Sequence, residues 1–169
     1  MKTRHPIALI ALAGVLAAPA VHADDASCKP VSDAAVKLAN TPYHEVATVD
    51  GKPFEKIYTT KTLSLRSGNK WRTMPMTPQE VLDAKRETGS SYSNCKILRT
   101  EMVNGQSATV YAAQLLSSET SFPRADNQIW IGADGRTLKT VSDAQVAGRT
   151  VHAESNLTYD NVQAPSGTK

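Results

Sequence analysis

The sequence predicts an α+β domain, in which a curved antiparallel sheet of seven or eight strands carries two short helices on its concave side. The first observation is that apolar and polar residues alternate with a period of two over much of the chain after residue 42. The second is that turn signals such as Asp50-Gly51 and Asn104-Gly105 separate these segments, which is typical of antiparallel hairpins. The third is that two short segments have helical start and stop signals.

The two predicted helices are both delimited by prolines. The first covers residues 30–40 and ends at Thr41-Pro42, because the residue before a proline avoids the helical region. The second runs from Pro78 to about Thr88. Thr77 and Glu80 have the spacing of a capping box at its start, and a proline suits the first helical position. This second helix has few apolar residues, so we expect it to lie over an opening or to pack through one narrow stripe.

The strands fall into two groups on either side of the second helix. A meander is predicted between residues 43 and 74, and a further set of hairpins between residues 95 and 162. We expect loops at residues 89–94, which are polar, and at residues 119–126, where Pro123 excludes a regular strand. Val151, Ala153, Leu157 and Tyr159 share one face of the last strand, so one face of the sheet is buried and the other solvated.

The first 23 residues have the layout of a cleaved secretory signal peptide. Lys2 and Arg4 precede a short apolar run at residues 7–18, Pro19 breaks it, and cleavage is expected after Ala23. The predicted location is therefore periplasmic or secreted. No other apolar run is long enough to span a membrane, so we expect no membrane-spanning helix after cleavage. Cleavage also lowers the formal charge from +3 to about +1, and we expect no nucleic-acid partner.

Composition indicates one domain, at residues 24–165, followed by a disordered tail at residues 166–169. The chain has 169 residues, of which 40% are hydrophobic and 21% charged, and these fractions argue against disorder along the whole chain. Aromatic residues make up only 5%. An apolar binding site would therefore be built mainly from aliphatic side chains and methionines.

Cys28 and Cys95 are the two cysteines of the chain. An exported protein meets an oxidising compartment, so the pattern favours an intramolecular disulfide between them. A pair of free thiols and an intermolecular bond are the alternatives.

The sequence contains no recognisable catalytic or metal-binding motif. His44 and His152 stand alone in their strands, no spacing typical of zinc or iron ligands occurs, and no GxSxG motif is present. We therefore expect no metal, no cofactor and no enzymatic activity. A small hydrolase that uses His44 or His152 remains an alternative, because a catalytic triad is assembled in space rather than in sequence.

The segment that joins the first meander to the second helix is the most informative apolar stretch. It combines a tryptophan and two methionines with prolines, which makes an adaptable apolar surface, either ordinary core or the rim of a pocket under the second helix. In the second case the candidate ligand-binding residues are Trp71, Met74, Met76, Val81, Leu82 and Trp130.

Two segments resemble proteins of the periplasmic LolA/LolB-like fold family. Residues 128–139 read QIWIGADGRTLK, which is similar to a recurring hairpin of that family, and Tyr159-Asp160-Asn161-Val162 with Pro165 resembles its closing strand. The order of signal peptide, helix, meander, lid helix and hairpins is similar as well. The resemblance implies a half-open barrel whose helices plug an apolar cavity, and in that family the cavity receives lipid or acyl chains.

The resulting functional hypothesis is an exported, non-enzymatic protein that binds an apolar or lipid-like molecule between sheet and helices. The alternative is an envelope interaction or assembly module, or an inhibitor, which contacts a partner protein through an exposed sheet edge.

Overall fold

The computed structural model describes residues 26–165. The signal peptide predicted for residues 1–23 and the disordered tail predicted for residues 166–169 lie outside the described residues. Within this range the chain forms an antiparallel sheet, two α-helices and a 3-10 turn at Ala26–Cys28. The α+β prediction is confirmed, but the sheet has nine strands rather than seven or eight.

The helices are α1 at Lys29–Ala39 and α2 at Pro78–Glu87. The strands are β1 Tyr43–Val49, β2 Lys52–Tyr58, β3 Thr62–Ser67, β4 Lys70–Pro75, β5 Ser91–Val103, β6 Gln106–Leu116, β7 Arg124–Gly132, β8 Thr137–Val146 and β9 Arg149–Thr158. Their order across the sheet is β4-β3-β2-β1-β9-β8-β7-β6-β5. The two predicted groups of strands are thus joined where β1 pairs with β9, and α2 carries the chain from one edge of the sheet to the other.

Local sequence signals account for several of these boundaries. Asn104 and Gly105 both have positive φ, 50° and 77°, as the hairpin between β5 and β6 requires. The capping box of α2 is present, since the Thr77 side chain accepts a hydrogen bond from the Glu80 amide at 3.3 Å while the Glu80 carboxylate accepts one from the Thr77 amide at 2.6 Å.

Two predicted loops are partly strand. β7 begins at Arg124, directly after Pro123, because pairing with Leu116 of β6 satisfies the backbone there. β5 begins at Ser91, inside the segment predicted to be a loop. Two extra residues bulge out of β5 against β6, and Asn94, with a φ of 53°, lies in the first bulge. These bulges break the simple alternation on which the strand prediction depends.

Both helices pack against the same face of the sheet, which we call the helix face. Val31 and Ala34 of α1 share a buried cluster with Ile129 and Ile131 of β7. Because neighbouring strand residues point to opposite faces, Trp130 points away from the helices. It belongs to a separate buried cluster with Val103, Ala108, Val110 and Leu138.

Candidate functional site

A disulfide bond between Cys28 and Cys95 fixes α1 in position. Its sulfur atoms are 2.02 Å apart, and Cys28 is completely buried at the start of α1. The bond ties the N-terminal end of this helix to β5. It confirms the predicted intramolecular pairing and leaves no free cysteine among the residues described.

A groove of about 450 Å³ runs beside α1. Ala34 and Ile131 contribute apolar surface to it, while Lys29, Asp33 and Lys37 contribute charged side chains. The ammonium group of Lys37 donates a hydrogen bond to the carbonyl of Asp134, in the turn between β7 and β8. The volume lies within the usual range for small-molecule sites.

The second apolar surface lies under α2, and we call it the lid cluster. It consists of buried Tyr43, Tyr58 and Leu157 with half-buried Leu38, Leu63, Met76, Val81 and Tyr159. Within the lid cluster, Val81 is the contribution of α2, whereas Leu38 comes from α1. No residue of α2 itself is buried. The helix therefore covers apolar side chains without being locked in place by deep burial of its own.

A charged pair borders the lid cluster on the helix face. Lys56 and Glu45, on paired strands, form an ion pair of 2.5 Å with side chains that are mostly buried. The Lys56 ammonium lies 5.3 Å from the ring centroid of Tyr43. Burial opposes the charged form of Lys56, but Tyr43 and Glu45 outweigh it and raise the pKa of Lys56. The apolar surface thus has one polar border whose charges are held in place.

Four of the six predicted ligand-binding residues lie in or near α2. Met76 and Val81 are members of the lid cluster. Met74 is paired with Leu63, which places it on the helix face, and it is 39% exposed. Leu82 is half-buried on α2.

The two predicted tryptophans lie on the opposite face of the sheet, far apart in strand order. Trp71 pairs with Arg66, whose guanidinium is 6.0 Å from the indole centroid. The indole N–H of Trp130 donates to the carboxylate of Glu101. The structure therefore does not bring Trp71 and Trp130 together with the methionines.

Sequence reasoning missed a groove on this opposite face. It has a volume of about 420 Å³, and its lining includes Val46, Phe54, Glu55 and Arg66. Arg66 contacts the Glu55 carboxylate at 2.6 Å and His44 contacts it at 2.8 Å. The hydrogen bond from Arg66 and the weaker one from His44 lower the pKa of Glu55. The register between β1, β2 and β3 creates this contact, and alternation within one strand does not reveal it.

His44 and His152 each contact one carboxylate. Besides His44 with Glu55, the His152 ring nitrogen lies 2.8 Å from Asp143. Across residues 26–165 no group of three or more potential metal ligands comes together. No helix in the same range is long and apolar enough to cross a membrane.

Comparison with solved structures identifies the architecture. No family model and no curated protein matches the sequence. Among solved structures, the lipoprotein LppX from Mycobacterium tuberculosis matches at a TM-score of 0.50 and 11% identity, over 85% of this chain and all of LppX. LprF from Mycobacterium bovis matches at 0.51 and 13%, over 85% of this chain and 97% of LprF.

The chain has a LolA-like fold. A LolA superfamily protein from Nitrosomonas europaea is also matched, at 7% identity and a TM-score of 0.21, over 78% of this chain and 91% of its own length. With LppX and LprF the fold is shared over nearly their whole length, and at these identities the likeness concerns the fold alone.

Proposed function

We propose that this is an exported, non-enzymatic protein that binds an apolar or lipid-like molecule between the sheet and the two helices. The observation that carries the proposal is the packing of α2. This helix lies over the apolar lid cluster, yet buries none of its own residues. Elements with few buried contacts open first, so we expect this helix to move aside more readily than α1.

Three further observations support this proposal. The groove beside α1, at about 450 Å³, lies on the same face of the sheet as the lid cluster, and Ala34 and Ile131 contribute apolar surface to it. The disulfide fits an oxidising compartment such as the periplasm. The fold is shared with a protein named as a lipoprotein, LppX.

We assign the ligand-contacting role to the residues nearest to α2. Met74 lies on the helix face, Met76 and Val81 belong to the lid cluster, and methionine adapts readily to apolar ligands of different shape. Leu82, half-buried on α2, is the fourth of these residues. Trp71 and Trp130, which also belonged to the predicted site, occupy the opposite face. We expect them to contribute to folding rather than to ligand contact.

Fluorescence titration with 1-N-phenylnaphthylamine tests the proposal. The processed protein should bind the probe saturably at micromolar concentration, and a fatty acid should displace it. Met76→Ala should weaken binding several-fold, whereas Val151→Ala should not, because Val151 lies on β9 about 20 Å from Leu157. Absence of saturable binding would refute the proposal, and so would equal loss in both variants.

The alternative function is contact with an envelope protein through an open sheet edge. The observation that favours it is Met74, which is 39% exposed on the edge strand β4. Crosslinking in an envelope fraction tests this alternative, and the wild type is compared with the variant Met74→Lys. It is supported if a specific partner is captured by the wild type and lost in the variant while probe binding by the wild type is absent.

A further inference from the structure

The edge strand β5 combines open backbone with exposed apolar side chains. β5 is the terminal strand of the sheet formed by residues 26–165, so its outer backbone groups have no neighbouring strand there. Ile97, Leu98 and Met102 are 65%, 41% and 66% exposed. Such an edge is a template for pairing with another strand.

A bulge gives β5 an unusual distribution of charge. Lys96 pairs with Ala112 of β6, and Glu101 pairs with Ala108. Ala108 and Ala112 are four residues apart and share one face of β6. Lys96 and Glu101 are five residues apart and would ordinarily face opposite ways, but the extra residue at Leu98 brings both to that face.

We propose that the partner of this edge is a second copy of the same chain, paired β5 to β5 in antiparallel orientation about a twofold axis between Leu98 and Arg99. In this register Lys96 of each copy lies directly opposite Glu101 of the other. A twofold interface is self-complementary, so the favourable charge contact occurs twice. Opposite charges directly across an antiparallel pair stabilise the pairing.

The bulge is compatible with this arrangement, although bulges usually protect an edge. Each copy places Leu98 and Arg99 between Ile97 and Thr100. Two residues of one copy therefore face two residues of the other at the axis, so the pairing on either side of the axis stays in register.

The same register also covers the exposed apolar side chains. Ile97 and Met102 pair with Tyr111 and Ser107 of β6, and both therefore lie on the helix face. Across the axis, Ile97 of one copy faces Thr100 of the other and is a diagonal neighbour of its Met102, within reach for apolar contact. Pairing thus covers two of the most exposed apolar residues of the described chain.

Sedimentation velocity tests the proposal, which does not depend on any bound ligand. A single strand from each copy makes a small interface, so the dimer is of the weak class and concentrations from about 10 µM to about 1 mM are needed. The wild type should dimerise over this range. Lys96→Glu alone and Glu101→Lys alone should each weaken dimerisation about tenfold or more, because both contacts become repulsive.

An equimolar mixture of the two variants provides the decisive readout. In the mixed dimer the substituted side chains of Lys96→Glu and Glu101→Lys face each other, and the native Lys96 of one copy faces the native Glu101 of the other. Both contacts are then attractive, so the dimer should return. Lys70→Glu, an exposed charge reversal on the other edge strand, is the matched control and should leave dimerisation unchanged.

Folding of the variants is monitored separately, because Glu101 also contacts Arg99 and the indole of Trp130. Ile97→Asp gives a second test that leaves these contacts intact and should also abolish the dimer. A wild type that is monomeric at about 1 mM overturns the proposal. A dimer that survives Lys96→Glu and Ile97→Asp, or a mixture that fails to reassociate while both variants are folded, overturns it as well.

Discussion

Removal of the disulfide in the variant Cys28→Ala/Cys95→Ala should cost a large fraction of the stability. The bond joins residues 67 positions apart, and in the loop-entropy model a cross-link of that span stabilises by about 4 kcal/mol. Domains of this size are typically stable by about 5–15 kcal/mol, so the variant should be close to marginal. Cys28 is fully buried, and the loss of its sulfur adds to the cost.

Urea denaturation followed by circular dichroism measures this cost. With a typical slope of about 2 kcal/mol per molar urea, the midpoint should fall by about 2 M. The wild type in reducing agent is the matched control for the covalent bond alone and should lose most of the same free energy. Val36→Ala, at an exposed position of α1, should change little. A midpoint shift below about 0.5 M would contradict the inference that the bond anchors α1.

Three other predictions concern single residues. Tyr58→Phe should destabilise by about 1–2 kcal/mol in urea, because the hydroxyl donates to the buried carbonyl of Ala39 at 2.8 Å; an unchanged midpoint would contradict this. Gly89→Ala should lower thermal stability by about 1 kcal/mol, since φ is +58° there; a higher melting temperature would refute the assignment. The pKa of Glu55 is lower in the folded protein than its ordinary value of 4.5, so the ionised carboxylate stabilises the fold at pH values above 4.5. This stabilisation is lost as the pH falls from 4.5 through the lowered pKa. Glu55→Gln should therefore flatten the stability profile between about pH 5 and pH 3, and an unaltered slope would argue against the contact with Arg66.

The parts of the fold that depend on local interactions could be predicted from sequence. The capping box at Thr77 and Glu80 and the turn at Asn104-Gly105 each involve atoms within a few residues, and both are present. The start of β7 at Arg124 could not be predicted, because pairing with the distant strand β6 outweighs the local effect of Pro123. The bulges in β5 are likewise a property of two strands together.

For the candidate site, the sequence predicts only which side chains of a single strand share a face. Alternation separates Trp130 from Ile129 and Ile131, but does not say which face the helices cover. That choice follows from α1, whose buried residues meet the two isoleucines. The contact between Arg66 and Glu55 needs the register of two strands, which the sequence of either one leaves open.

Hydrogen exchange of α2 tests the central claim most directly, because the proposed ligand lies beneath this helix. In the free protein the backbone amides of α2 should exchange faster than those of α1, since α2 buries no residue whereas α1 buries three. Saturating fatty acid should slow exchange in α2 and leave the outer strand β5 unchanged. Binding without added protection in α2, or α2 amides as protected as those of α1 in the free protein, would contradict the account.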